Sequence, residues 1–99
     1  MENNNAETTY QLSKNGAAGQ YELTIGDEVA GFASYVDRGD VRVLPHTVVE
    51  PKFRGQGLSH PLIQYALDDA RADNMNVDPQ CSAVAKFIDQ NADYKDLLA

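Results

Sequence analysis

The apolar pattern of this chain changes period once, and that change limits what the chain can fold into. Before Val49 the hydrophobic residues fall in short alternating, β-branched runs. Beyond the joint they recur at Leu58, Leu62, Ile63, Ala66, Leu67 and Ala70, a stripe of helical period with Gln64, Asp68, Asp69 and Arg71 off it. Strands therefore give way to a helix across Arg54-Gly55-Gln56-Gly57-Leu58-Ser59. Pro61 is tolerated only in a first helical turn, so the helix is expected to begin near Leu58 and to run to Asp73.

The remaining segments follow from local pattern. Residues 1–8 are polar and Asn-rich and read as a loose tail, with residues 9–99 as one domain. Tyr10–Lys14 is a weak strand signal, followed by a Gly- and Asn-rich turn. Tyr21–Ile25 alternates cleanly. Glu28–Val36 and Val41–Val49 read as two further strands, each set off by a short turn, which predicts an antiparallel meander. Met75–Cys81 reads as a last short strand. Ser82 is placed to cap a second helix with Val84, Phe87 and Ile88 on its buried face, and Tyr94–Ala99 forms a helical turn. The expected class is α+β.

Composition excludes several functions. With 15 acidic and 8 basic residues the net charge is −7, which argues against a general nucleic-acid binder and favours a cationic partner such as an amine. No apolar run is long enough to span a bilayer, and residues 1–9 lack the basic and apolar regions of a secretory signal. The single cysteine, Cys81, permits no internal disulfide and no cysteine-rich zinc site, which fits a reducing cytoplasm. Asp68, Asp69 and Asp73 share no face with a histidine, so no metal site is expected and they read as a solvated helix surface.

The joint itself has the chemistry of a phosphate cradle. The first N–H groups of a helix have no intrahelical partner and carry the positive end of its dipole. Gly55 and Gly57 let an anion approach the backbone, Arg54 adds a forked cation, and Ser59 adds a hydroxyl. The spacing is neither that of a dinucleotide fingerprint nor that of a P-loop. Read without a ligand, the same residues make a glycine-rich turn.

The segment Arg54–Ser59 resembles the Q/R-x-x-G-x-G/A loop of the GNAT superfamily of N-acetyltransferases. "HTVVEPKFRGQG" from His46 to Gly57, the later Pro79 and Cys81, and Tyr94 near the end extend the resemblance over most of the chain, to the small stand-alone GNAT-like branch. Ser59 stands where Gly or Ala is usual, and the terminal His-Pro-Glu-Tyr has become Asn91-Ala92-Asp93-Tyr94. The resemblance implies a mostly antiparallel sheet packed with two main helices and a short C-terminal helical turn. It implies acetyl-CoA as cosubstrate and transfer of an acetyl group to an amine, on a small molecule or a protein side chain. The cofactor contacts implied are Arg54, Gly55, Gln56, Gly57, Leu58 and Ser59 on the pyrophosphate, and backbone groups of Thr47, Val48 and Val49 along the pantetheine arm.

Two residues are candidates for the chemistry. Cys81 has intrinsic nucleophilicity, and the resemblance implies an acyl-enzyme role for it; His46, which could meet it across neighbouring strands, is the candidate base that would raise its thiolate fraction. Structurally, Cys81 reads as a small buried residue and His46 as a strand histidine satisfied by backbone. His60, at the helix start, is a lesser cofactor contact, and Tyr94 a proton donor or a packed aromatic. The competing functions are a CoA-binding module without catalysis and a protein-interaction module whose glycine loop is only a turn.

Overall fold

A computed structural model describes residues 9–99; the tail expected at residues 1–8 lies outside the described residues. The elements are β1 (Gln11–Asn15), β2 (Gln20–Ile25), β3 (Glu28–Ser34), β4 (Val36–Arg38), β5 (Val41–Val43), β6 (Thr47–Val49), α1 (Ser59–Ala72), β7 (Asn76–Asp78) and α2 (Ser82–Gln90), with short 3-10 turns at Pro51–Phe53 and Ala92–Leu97. The α+β class, the mostly antiparallel pairing and the two main helices are as expected. No helix among the described residues is long and apolar enough to cross a membrane.

The expected meander is present, but it is divided into two sheets. One has the order β1-β2-β3-β6, and the other β4-β5-β7, in which β7 joins β5 in parallel. The run Val41–Val49, expected as one strand, is therefore two, β5 and β6, separated by Leu44-Pro45-His46. The cause is local. Pro45 has no N–H to give to the strand opposite. At that level Tyr35 N–H turns to Gly19 C=O (2.9 Å), Leu44 N–H turns to Asp78 C=O (3.0 Å), and Cys81 N–H takes Leu44 C=O (2.9 Å). The long hairpin thus parts in its middle, and β7 and the start of α2 enter on one side of the gap.

The stripe on α1 covers the larger sheet. Leu62, Ile63, Ala66, Leu67 and Ala70 are buried with Tyr21, Leu23, Ala30 and Ala33, and Val84, Phe87, Ile88 and Leu97 join the same cluster with Val77 of the second sheet. Gly31 permits the close approach. A Cβ there would lie 3.0 Å from Val48 O, with Leu62 Cδ2 at 3.6 Å, so the position has no room for a larger residue.

A buried charge cluster ties the sheets to the helix, and it corrects the reading of Asp69 and Asp73 as merely solvated. Arg42 is only 3% exposed. Its Nε and Nη2 donate to Asp37 at 2.7 and 3.0 Å, and its Nη1 donates to Tyr21 OH (2.9 Å), Asp73 (3.1 Å) and Asp69 (3.2 Å). Lys14 adds a second cation, 2.9 Å from Asp69 and 3.2 Å from Asp73. Tyr21 OH donates to Asp69 at 2.8 Å. The Asp37 contact holds the Arg42 guanidinium above its usual range, and burial raises the Tyr21 phenol.

Candidate functional site

The joint between β6 and α1 is open to ligand. Gly55 (φ +87°) and Gly57 (φ +70°) both lie in the left-handed region, and a Cβ at either would meet nothing within 4 Å. The glycines therefore answer to backbone conformation and leave empty space in front of the chain. Leu58, near which the helix was expected to begin, is its N-cap, and Ser59 is the first helical residue, so the N–H groups of Leu58 and Ser59 precede any carbonyl of a completed turn. Pro61 sits in that first turn, where its missing N–H costs nothing. Val49, Phe53, Arg54, Gly55, Gly57, Leu58 and Ser59 line a cleft of about 300 Å³. Gln56 is exposed beside it and is not part of the lining. Arg54 is anchored by its Nε to Val49 C=O (3.1 Å), so its guanidinium is held beside the cleft.

The cleft continues onto a free strand edge. Among the described residues, strand β6 is the last of its sheet and pairs only with β3. Ser34 N–H bonds His46 C=O at 2.9 Å and Glu50 N–H bonds Ala30 C=O at 2.8 Å. With Val48 opposite Phe32, antiparallel alternation turns the backbone groups of Val48 toward β3 and those of Thr47 and Val49 outward. Of the three residues expected along a pantetheine arm, Thr47 and Val49 offer backbone groups to the open edge, and Val49 C=O already accepts Arg54.

At the far end of that edge lies Cys81. It is the cap residue of α2, where Ser82 was expected; Ser82 is instead the first helical residue and is exposed. The Cys81 thiol is half-buried and donates to Thr47 Oγ1 at 3.5 Å. Burial by itself would raise its pKa. The Thr47 hydroxyl, the N–H groups of Val84 and Ala83 at the helix start and the N–H of Thr47 together outweigh burial, and the thiol lies below its ordinary value. Four neutral donors thus favour the thiolate.

His46 is one residue from Thr47, but its side chain is exposed, and the hydrogen-bond partner of the thiol is Thr47. The parting of the hairpin explains this: Cys81 docks by its N–H on Leu44, which brings its sulfur to the Thr47 side of the bend. His60 packs its ring on Phe87 (4.8 Å between centroids). Tyr94 also packs near Phe87, at 5.6 Å, and its hydroxyl donates to Asp68 at 2.8 Å on the exposed side of α1. The side-chain role of Thr47 is the feature that sequence reasoning missed; no local signal marks a contact between residues 34 positions apart.

The thiol assignment has a direct test. Thr47→Val is expected to slow alkylation of Cys81 by iodoacetamide about fivefold at neutral pH, the worth of roughly one hydrogen bond, and to move the pH profile of the reaction upward. His46→Ala is expected to leave both unchanged. A slow His46 variant beside an unaffected Thr47 variant would return the base to His46.

Comparison with known proteins completes the description. The sequence profile of a family described as GCN5-related N-acetyl-transferase matches residues 20–97. The fold is similar to that of a GCN5-like protein from Staphylococcus aureus solved by NMR, with a TM-score of 0.70 and 19% identity over 90% of this chain and 87% of that one. It is also similar to the crystal structure of the ribosomal-protein-S18-alanine N-acetyltransferase from Escherichia coli, with a TM-score of 0.60 and 20% identity over 72% of this chain and 49% of that one. At these identities the likeness is one of fold. No curated protein sequence matches the chain.

Proposed function

From the premise that this chain belongs to the GCN5-related N-acetyl-transferase family, we propose that it binds acetyl-CoA and transfers the acetyl group to an amine by way of Cys81. One observation carries the reading: an open glycine-loop cleft lies at one end of the β6 edge, and the Cys81 thiol, bonded to Thr47 Oγ1, lies at the other. The pyrophosphate sits against the N–H groups of Gly55, Gly57, Leu58 and Ser59, with Arg54 beside it. The pantetheine arm lies along β6 and bonds the outward backbone groups of Thr47 and Val49. The thioester then reaches Cys81.

The chemistry follows in two balanced steps. The Cys81 thiolate attacks the thioester carbonyl, a new S–C bond forms, and the bond to the CoA sulfur breaks, releasing CoA as thiolate. The acceptor amine then attacks the acyl-Cys81 carbonyl, the amide forms, the Cys81 sulfur leaves, and the amine proton passes to a thiolate or solvent. The lowered pKa of Cys81 raises its thiolate fraction for the first step and favours its departure in the second. The acceptor enters from the exposed side of the gap where the hairpin parts.

Incubation with acetyl-CoA in the absence of any amine is expected to add one acetyl group, located on Cys81 by peptide mass spectrometry and absent from Cys81→Ser. Free CoA released with an amine present and no adduct at any time would mean direct transfer without Cys81. Binding without any CoA release would reduce the chain to a CoA-binding module.

A further inference from the structure

The two helices pack on one face of the sheets, and the opposite face carries two carboxylates without counter-ions. Residues of α1 and α2 are buried with Tyr21, Leu23, Ala30 and Ala33, whereas Phe32 and Val48 stand outside that cluster. Glu22 pairs across with Phe32, and Phe32 with Val48, so all three point to the outer face. In the second sheet Arg42 meets Asp69 of α1 and Val77 is in the core, so alternation turns the next pair, Val43 and Asp78, outward as well. Glu22 thus lies on one side of the parted hairpin and Asp78 on the other.

Of the described carboxylates only Glu22, Asp69 and Asp78 are half-buried. Asp69 is neutralised by Lys14 (2.9 Å) and Arg42 (3.2 Å). Glu22 and Asp78 are held by neutral amides instead. Asn15 Nδ2 (3.0 Å) and Gln20 Nε2 (2.7 Å) both donate to one oxygen of Glu22, and Gln80 Nε2 donates to one oxygen of Asp78 (3.2 Å). Among the described residues neither carboxylate has a cation beside it. A half-buried charge in that state costs free energy that a bound cation offsets. Asp78 is also tied to the thiol's own backbone: its C=O accepts Leu44 N–H, and Leu44 C=O accepts Cys81 N–H.

We propose that the acceptor is a linear aliphatic amine with a second positive charge, its reacting end beside Asp78 and Cys81 and its far end on Glu22, a substrate class that rests on the reading of acetyl transfer through Cys81. The side chains between are Phe32 and Val48, which offer apolar surface and no hydrogen bond, so a hydrocarbon chain suits the span better than peptide backbone. Glu22 is two strands and one residue from Thr47, which holds the thiol, so the two nitrogens stand at least about 10 Å apart. Both ends arrive as ammonium, and the net charge of −7 draws them in. The reacting end gives its proton to solvent before it attacks, and the far end keeps its charge on Glu22.

The test compares 1,8-diaminooctane with octylamine, first by amide shifts in NMR without acetyl-CoA and then as acceptors with it. The diamine is expected to bind roughly three- to fivefold more tightly, the range of a partly exposed ion pair, with shifts at Glu22, Phe32, Val48 and Asp78. Glu22→Gln should erase that preference by weakening the diamine alone, and as an acceptor the diamine should then show a higher KM at the same kcat. Asp78→Asn should weaken both amines, because both present a reacting ammonium. Each substitution keeps the shape of the side chain and an oxygen for the neighbouring amides, so the fold is retained. Equal binding of the two amines, or a preference that survives Glu22→Gln, overturns the assignment, and acetylation of both amines in that case leaves transfer through Cys81 standing. Diamine binding as predicted with no acetyl transfer would instead sink the transfer reading and leave the two carboxylates as an amine site.

Discussion

Gly57→Val is expected to lower the affinity for acetyl-CoA by at least about tenfold, the equivalent of one or two lost charge-assisted N–H contacts. Two effects combine. A β-branched residue at φ +70° is strained by about 1–2 kcal/mol, which pulls the loop from its left-handed conformation and turns the N–H groups away from the ligand. Its side chain also fills the open space before the backbone, where nothing in the protein lies within 4 Å. Gly39→Val supplies the control. Gly39 (φ +62°) is likewise left-handed and open, but it turns the chain between β4 and β5, outside the cleft. The two variants should melt at similar temperatures, and only Gly57→Val should lose acetyl-CoA. Equal affinity in both would remove the ligand from the loop.

The largest effect on stability is expected at Arg42. Arg42→Met removes the cation that Asp37, Asp69 and Asp73 share and leaves Tyr21 with one partner fewer in the core. Breaking a buried charge set by deleting one member costs about 3–5 kcal/mol, and partial exposure of the three carboxylates places this case near the lower end. That is a large fraction of the stability of a small domain. Adding Asp37→Asn and Asp73→Asn to Arg42→Met should recover part of the loss, because the orphaned charges are then gone. Urea melts of the single and triple variants measure both effects, and a single variant within about 1 kcal/mol of wild type would show the cluster to be dispensable.

Acid should attack the same cluster. The hydrogen bond to Arg42 holds Asp37 below the usual carboxylate range, and those to Lys14 and Arg42 do the same for Asp73. Groups depressed in the folded state contribute stability that is present above their unfolded values, near pH 4, and is lost as pH falls through the folded ones. Melting temperature should therefore hold from neutral pH to about pH 4 and fall below it.

What was legible in the sequence was whatever local periodicity or backbone conformation controls. The α1 stripe, the β2 alternation and the two left-handed glycines each answer to their own few residues. The parting of the hairpin was not legible, because Pro45 only removes a donor; what it does depends on Gly19, Asp78 and Cys81 being there to receive the freed partners. Arg42 sits in a strand where alternation suggests a solvated polar residue, yet three elements bury it. Asp69 and Asp73 look like a wet helix face until that face meets Arg42 and Lys14. In the candidate site, the loop could be read from Arg54–Ser59 alone, whereas the meeting of Thr47 with Cys81 depends on how β7 docks.

The central claim is that one ligand path runs from the glycine loop along the β6 edge to Cys81. Titration of the chain with acetyl-CoA, followed by amide shifts in NMR, tests it most directly. The predicted result is saturable shifts at Gly55, Gly57, Leu58 and Ser59, continuing through Val49 and Thr47 to Ala83 and Val84, with the surface turn at Gly26 and Asp27 unmoved. Saturable binding whose shifts avoid the loop and the β6 edge, or no shifts at millimolar acetyl-CoA, would contradict it.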